Sequence, residues 1–173
     1  MEKLENKAAF QLFKPEATVF VIAYDSVLQR PTGMVAGYNM KCSSNPSMLA
    51  VALWVEGYTH KVIHKEKEFV IAVPSLAMEK YIPIFGKLHG NEVDKFAKTS
   101  IPNKKAKFVK APLLEEAYLN FECKLVKEVE SGDHILFIGE VLQAYQNENV
   151  GVILNMGGKD GERVFREFNA QSL

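Results

Sequence analysis

Hydrophobic positions in this chain fall into short blocks, and the period within each block sets the element it forms. Residues 17–24 read Ala-Thr-Val-Phe-Val-Ile-Ala-Tyr, β-branched and aromatic with apolar side chains on both faces. That composition predicts a strand covered on each side. A turn over residues 25–33, ending in Pro31-Thr32-Gly33, leads into a second strand-like run over residues 33–40, so the two are expected to pair as a hairpin. Cys42, Ser43, Ser44, Asn45 and Pro46 form a polar cluster read as a turn, and the apolar run over residues 48–55 is a third strand. Thr59 is read as a helix N-cap, with Tyr58 and Ile63 spaced as a hydrophobic staple, which predicts a helix over residues 59–67.

Residues 69–73 repeat the buried-strand pattern and stop at Pro74. Ser75 then precedes Leu76, Met78, Tyr81, Ile82 and Phe85, which recur at helical spacing and predict a capped helix. Residues 86–96 read as a glycine-framed loop that opens a short helix capped by Asn91. Lys104, Lys105, Lys107 and Lys110 lie in an aperiodic stretch, residues 98–112, read as a solvated connection or as an electrostatic collector for an anionic dinucleotide. Residues 119–129 alternate Leu119, Phe121, Cys123 and Leu125 with Asn120, Glu122 and Lys124, a strand with one wet face. A turn at Ser131-Gly132-Asp133 gives a return strand over residues 134–142, in which Gly139 signals a bulge or a close approach. One more strand is expected at residues 152–156, before a Gly157-Gly158 turn. The sum is a mainly β chain with peripheral helices.

At 173 residues the chain fits one globular domain, residues 1–173, with a full-sized core. Its formal net charge of +0 removes the usual argument for a nucleic-acid partner or an anionic membrane surface. Residues 1–10 mix Glu and Lys with apolar residues, unlike a signal peptide, and no apolar run reaches spanning length. A soluble cytoplasmic protein is the expectation. Cys42 and Cys123 form no CxxC pair, so neither a zinc knuckle nor a redox dithiol is supported. Cys123 is expected to be a buried, inert thiol. His60 and His64 stand four apart on one helix, but no Cys or carboxylate cluster completes a metal site, and a surface pair is expected.

The candidate chemistry concentrates between residues 33 and 63. Small residues over 33–37 would let a flat ligand lie close to the backbone, and the start of the helix at Thr59 offers unpaired amides to an anion. Met34-Val35-Ala36, Ser43-Ser44 and Tyr58-Thr59-His60 before an apolar helix resemble the flavin reductase-like family, which includes flavoredoxins and carries FMN on a split β-barrel. Asp94-Lys95-Phe96, the Pro112-Leu113 lead into Leu119-Asn120-Phe121-Glu122-Cys123-Lys124, and Gly132-Asp133-His134 followed by Phe137, Gly139, Glu140 and Val141 extend the resemblance. Val35 and the His89/Asn91 loop depart from the family pattern of Thr and of Ser-Gly-Arg.

The resemblance implies FMN held by Met34, Val35, Ala36, Gly37, Tyr38 and Asn39 along the ring, and by Cys42, Ser43 and Ser44 at its polar edge. It also implies Tyr58, Thr59 and His60 at the phosphate, with His89 and Lys95 from the loop. His134 would serve the nicotinamide of NADH or NADPH as the catalytic residue. Hydride transfer to a flavin needs position and electrostatics more than a protein acid or base, so a sparse catalytic set fits. Two functions remain open, an NAD(P)H-dependent FMN oxidoreductase and a flavoredoxin-type electron carrier that receives electrons from a redox partner protein. A homodimer is expected, because residues 17–24 and 48–55 hold more apolar positions than one small barrel interior takes.

Overall fold

The computed structural model describes residues 3–158 and 163–169 of the chain, so residues 1–2 of the stretch weighed above as a leader lie outside it. The elements run α1 (Asn6–Leu12), β1 (Glu16–Ala17), β2 (Val19–Asp25), β3 (Arg30–Ala36), β4 (Asn39–Ser44), β5 (Ser47–Trp54), α2 (Tyr58–Glu66) and β6 (Glu68–Val73). A 3-10 helix (Leu76–Tyr81), α3 (Ile82–Lys87), α4 (Lys95–Thr99), β7 (Asn103–Lys104), β8 (Leu113–Leu114), β9 (Leu119–Ser131), β10 (His134–Gln146), β11 (Val152–Asn155) and β12 (Phe165–Phe168) follow. Seven strands make one sheet in the order β3-β2-β6-β9-β10-β5-β4, and the sheet does not close on itself. The fold is therefore a mainly β split barrel with peripheral helices. A second sheet, β1-β11-β12, stands beside it.

The doubly apolar pattern of β2 is explained by two cores. Phe20 and Ile22 enter one cluster with Val70, Met78, Phe85 and Leu113, while Val19, Val21 and Ala23 enter the other with Val51, Leu53, Phe69 and Phe137. Both faces of β2 are thus covered within one chain, and its apolar surplus is not left over for a partner. The β2–β3 hairpin forms as its pattern requires, with Val21 opposite Met34. Gly139 answers to both sequence readings. The register shifts between Ile138 and Gly139, and a Cβ there would stand 2.6 Å from Phe69 Cζ and 3.0 Å from Cys123 Cβ.

Several boundaries differ from the sequence expectation. The run over 33–40 is two strands broken at Gly37-Tyr38, and Cys42, Ser43 and Ser44 belong to edge strand β4, with Cys42 at a bulge and only Asn45-Pro46 turning. Helix α2 begins one residue early: Gly57 takes the N-cap position with no side-chain cap, and Thr59 lies buried inside the helix, so the Tyr58–Ile63 staple does not apply. Ser75 donates to the carbonyl of Glu116 at 2.6 Å instead of capping, and the segment after it is a 3-10 helix leading into α3. Asp94, not Asn91, caps α4, accepting from the Ala97 N–H at 2.9 Å.

The expected wet face of β9 is dry at two positions. Asn120 pairs with both backbone groups of Leu114, and the fully buried carboxylate of Glu122 accepts from the N–H groups of Lys107 and Val109 at 3.0 and 3.1 Å and from the Tyr145 hydroxyl at 2.7 Å. These bonds fix the lysine-bearing stretch against the barrel, burying Ala106, Val109 and Ala111 under it, so it is a docked strap and not a solvated connection. Cys123 is buried as expected, and burial pushes its thiol pKa up to about 12.

Candidate flavin site

The open seam of the barrel, where β3 and β5 approach without a ladder between them, is one side of a cavity of about 870 Å³. Met34, Val35 and Ala36 of β3, Gly37 and Tyr38 at the strand break, Ala52 and Trp54 of β5 and His134 of β10 line this wall. Pairing between β5 and β10 puts His134 directly opposite Trp54. The Tyr38 carbonyl accepts from the Ala52 N–H at 2.9 Å, tying the strand break across the seam. Tyr38 and His134 stand with ring centroids 5.2 Å apart at 51°, and His134 Nδ1 is 2.6 Å from the Asp133 carboxylate. The hydrogen bond with His134 holds the Asp133 carboxyl below its ordinary pKa. Tyr38, Trp54 and His134 therefore bring three aromatic side chains to this wall.

The facing wall comes from the two ends of the chain. Lys7, Phe10, Gln11 and Lys14 from α1 and its exit, Glu16 of β1, Asn155 of β11, Gly157, Gly158 and Arg163 line it. Glu16 holds the junction: its carboxylate accepts from Lys14 Nζ at 2.5 Å and from Asn155 Nδ2 at 2.7 Å. A Cβ on Gly37 would meet that carboxylate at 2.9 Å, so the glycine admits Glu16. Gly33 likewise serves internal packing, since a Cβ would stand 2.6 Å from Ile22 Cδ1. The small residues over 33–37 thus answer first to the protein's own side chains. Asn39 completes the corner by donating to the carbonyls of Ala17 and Gly37 at 2.8 and 3.2 Å.

Of the residues selected from sequence, Met34, Val35, Ala36, Gly37, Tyr38 and His134 meet at this cavity. Asn39, Cys42, Ser43, Ser44, Tyr58, Thr59, His60, His89 and Lys95 are not among its lining residues. Tyr58 turns its hydroxyl onto the buried carboxylate of Asp25, which also accepts from the N–H groups of Val27 and Leu28. Burial and that bond push the Tyr58 pKa up to about 12. His60 is buried while His64 is exposed beside Glu128 at 2.7 Å, so the expected surface pair is split between interior and surface. Burial lowers the His60 pKa and keeps the ring neutral. His89 is exposed, and its loop reaches the site's support through Lys95 instead.

Lys95 lies 3% exposed beneath β3, donating to the carbonyls of Gly33 at 2.8 Å and Phe85 at 3.1 Å. Burial pushes its pKa down to about 8. It anchors the strand that forms the cavity wall. Sequence reasoning missed Trp54 and the whole facing wall. The sole tryptophan could have been found at the end of a strand that the family pattern places next to the site. Lys7, Lys14, Glu16, Asn155 and Arg163 carry no local signal, because they come together only in the fold, Glu16 and Asn155 through β1–β11 pairing.

The sequence profile of the flavin reductase like domain family matches residues 15–161. A protein of Archaeoglobus fulgidus is 40% identical over 117 residues, which span 68% of this chain and 66% of that relative, just under two thirds of its length. Flavoredoxin of Desulfovibrio vulgaris (Miyazaki F) shares the fold at a TM-score of 0.83 and 26% identity, over 98% of this chain and 94% of its own. An NADH:FAD oxidoreductase of Streptomyces globisporus C-1027 matches at a TM-score of 0.83 and 25% identity, over 97% and 98% of the two chains.

Proposed function

The chain belongs to the flavin reductase-like family, and from that premise we propose that it is an FMN-binding oxidoreductase that takes hydride from NADH or NADPH. The observation that carries this reading is the cavity itself, which joins residues 34–38 to His134, its neighbour Trp54 and a cationic facing wall. A volume of about 870 Å³ lies at the upper end of small-molecule sites, so it has room for a flavin and part of a second ring. The aromatic side chains of the lining suit a planar heterocycle, and its lysines and arginine suit a phosphate, so the residues present fit FMN.

FMN held there would supply N5 as hydride acceptor and an electron reservoir, chemistry that no side chain here provides. Residues 34–38 would hold the ring along β3. Tyr38 and His134 form the edge on which a nicotinamide would stack, with Asp133 orienting the imidazole through Nδ1. His134 is thus assigned to the reducing partner, not to the flavin.

The likeness to a flavoredoxin keeps a second reading in play, in which electrons arrive from a redox partner protein and pyridine nucleotide has no part. Steady-state oxidation of NADH and NADPH with free FMN separates the two: turnover supports the oxidoreductase, and a reducible flavin without turnover supports the carrier. We also propose a homodimer working in the cytoplasm. Exposed Tyr38, Met40 and Trp54 beside the seam would be the apolar surface it covers, in place of the β2 surplus expected from sequence. Light scattering at the monomer mass of 19.4 kDa would refute the dimer.

A further inference from the structure

We infer that the docked strap is a protein-docking surface, on which Lys98, Lys104, Lys105, Lys107 and Lys110, together with the ring of Phe108, receive an acidic face of a second protein. Residues 95–114 contain six lysines and no Asp, Glu or Arg, in a chain whose formal net charge is +0. Lys95 is buried, and the other five lysines are exposed. Among the described residues none of these five forms an ion pair. The carboxylates that meet the strap bind its main chain instead of its ammonium groups. Glu122 accepts from the N–H groups of Lys107, Phe108 and Val109 at 3.0, 2.5 and 3.1 Å, and Glu68 accepts from the Lys110 N–H at 2.6 Å.

Four successive amides are thus turned inward while the lysine side chains stay in solvent. Burial of Ala106, Val109 and Ala111 and the pairing of Lys104 with Leu113 fix the same stretch, so a partner has only side chains to order, which lowers the cost of association. The chemistry of the surface selects the partner. Lysine is a compact, hydrated point charge, and the strap carries no arginine fork for phosphate oxygens. Phe108 is 50% exposed with Lys107 Nζ 4.9 Å from its ring centroid, so an apolar contact is offered within a cationic field. An aromatic anchor with charged neighbours is the anatomy of a protein interface, in which complementary charge steers the encounter. Unpaired cations of one sign call for Asp and Glu side chains opposite them. None of the five lysines lines the cavity, so the strap is not part of a dinucleotide site there, and this reading stands independently of the flavin.

The test is a titration of the isotope-labelled full chain, at low ionic strength, with the capped peptide Glu-Glu-Asp-Leu-Asp-Glu-Glu, read by amide NMR shifts. The expected result is a set of shifts confined to residues 98–110 and weakened by added salt. Lys104→Glu/Lys105→Glu/Lys107→Glu should lower the affinity tenfold or more, and Phe108→Ser at least threefold. Lys41→Glu/Lys61→Glu/Lys127→Glu makes the same change in net charge on exposed lysines elsewhere and should leave the affinity within twofold. All of these side chains are exposed, so the thermal melts of the variants should match wild type. Equal losses in the two triple variants would reduce the effect to net charge and overturn the proposal, as would shifts outside the strap or no shifts at all. Tighter binding of an oligothymidylate of equal charge would assign the strap to a phosphate backbone and overturn the choice of a protein partner.

Discussion

The two walls of the cavity differ in what holds them. The seam wall is built on strands whose roots lie in two cores: Ala36, Val51 and Leu53 are buried, and Lys95 ties the Gly33 carbonyl from beneath. The facing wall includes α1, a helix with no buried residue, whose last residue Leu12 and C-cap Phe13 are 69% and 83% exposed. Only α1 lacks such roots: the rest of the facing wall is held by the ties of Glu16, Asn39 and Asn155 and by Ile153 of β11, which is buried in a core. Such a division places the firmer support on the seam strands and the looser one on the N-terminal helix.

The largest effect expected is on pH dependence in the support of the seam wall. Lys95 has a folded pKa of about 8 against an ordinary 10.5, so between those values the unfolded chain keeps a proton that the folded chain has released. Stability contributed at this position therefore rises with pH across that window and is flat below it, by at most on the order of 3 kcal/mol. Denaturant melts of wild type and Lys95→Met from pH 7 to 10 should diverge in that direction, and parallel curves would show that the amine is not desolvated.

Next is Gly90→Ala. Its Cβ would fall 2.1 Å from Thr32 Oγ1 and 3.2 Å from Tyr58 Cδ1, driving the loop off β3 at a cost of roughly 2 kcal/mol. An unchanged melting temperature would mean that the loop gives way freely and the seam wall is less rigid than its packing implies. His134→Ala follows: FMN affinity should stay within about 1 kcal/mol while NAD(P)H oxidation slows roughly tenfold, equivalent to about 1.4 kcal/mol. Loss of flavin without a kinetic defect in the reloaded variant would move His134 to the flavin. Smallest is the removal of residues 1–13, which should change unfolding free energy by less than about 0.5 kcal/mol because α1 buries nothing. A large loss would erase the contrast between the walls.

The same contrast decides what the sequence could reveal. Strands β2, β3, β5, β6, β9 and β10 were legible because period-2 and doubly apolar runs are local, and Gly139 announced its bulge by being costly anywhere else in a strand. The half of the site on β3 and β10 came from those strands together with motif spacing. The cap at Ser75 failed because a tertiary bond to Glu116 outcompeted the local one, whereas at α4 one local cap, Asp94, stood in place of another, Asn91. Glu122 looked like a solvated residue of an alternating strand, yet distant amides of the strap bury it. The cationic wall was invisible because Lys7 and Arg163, far apart in sequence, line one cavity only in the fold.

Titration of the purified protein with FMN while following Trp54 emission tests the central claim most directly, since the only tryptophan in the chain lines the cavity. A flavin seated between the walls predicts saturable quenching at one FMN per chain, together with retention of yellow colour through gel filtration. Full Trp54 emission at saturating FMN, or quenching that rises linearly without saturation, would contradict a flavin site at this seam.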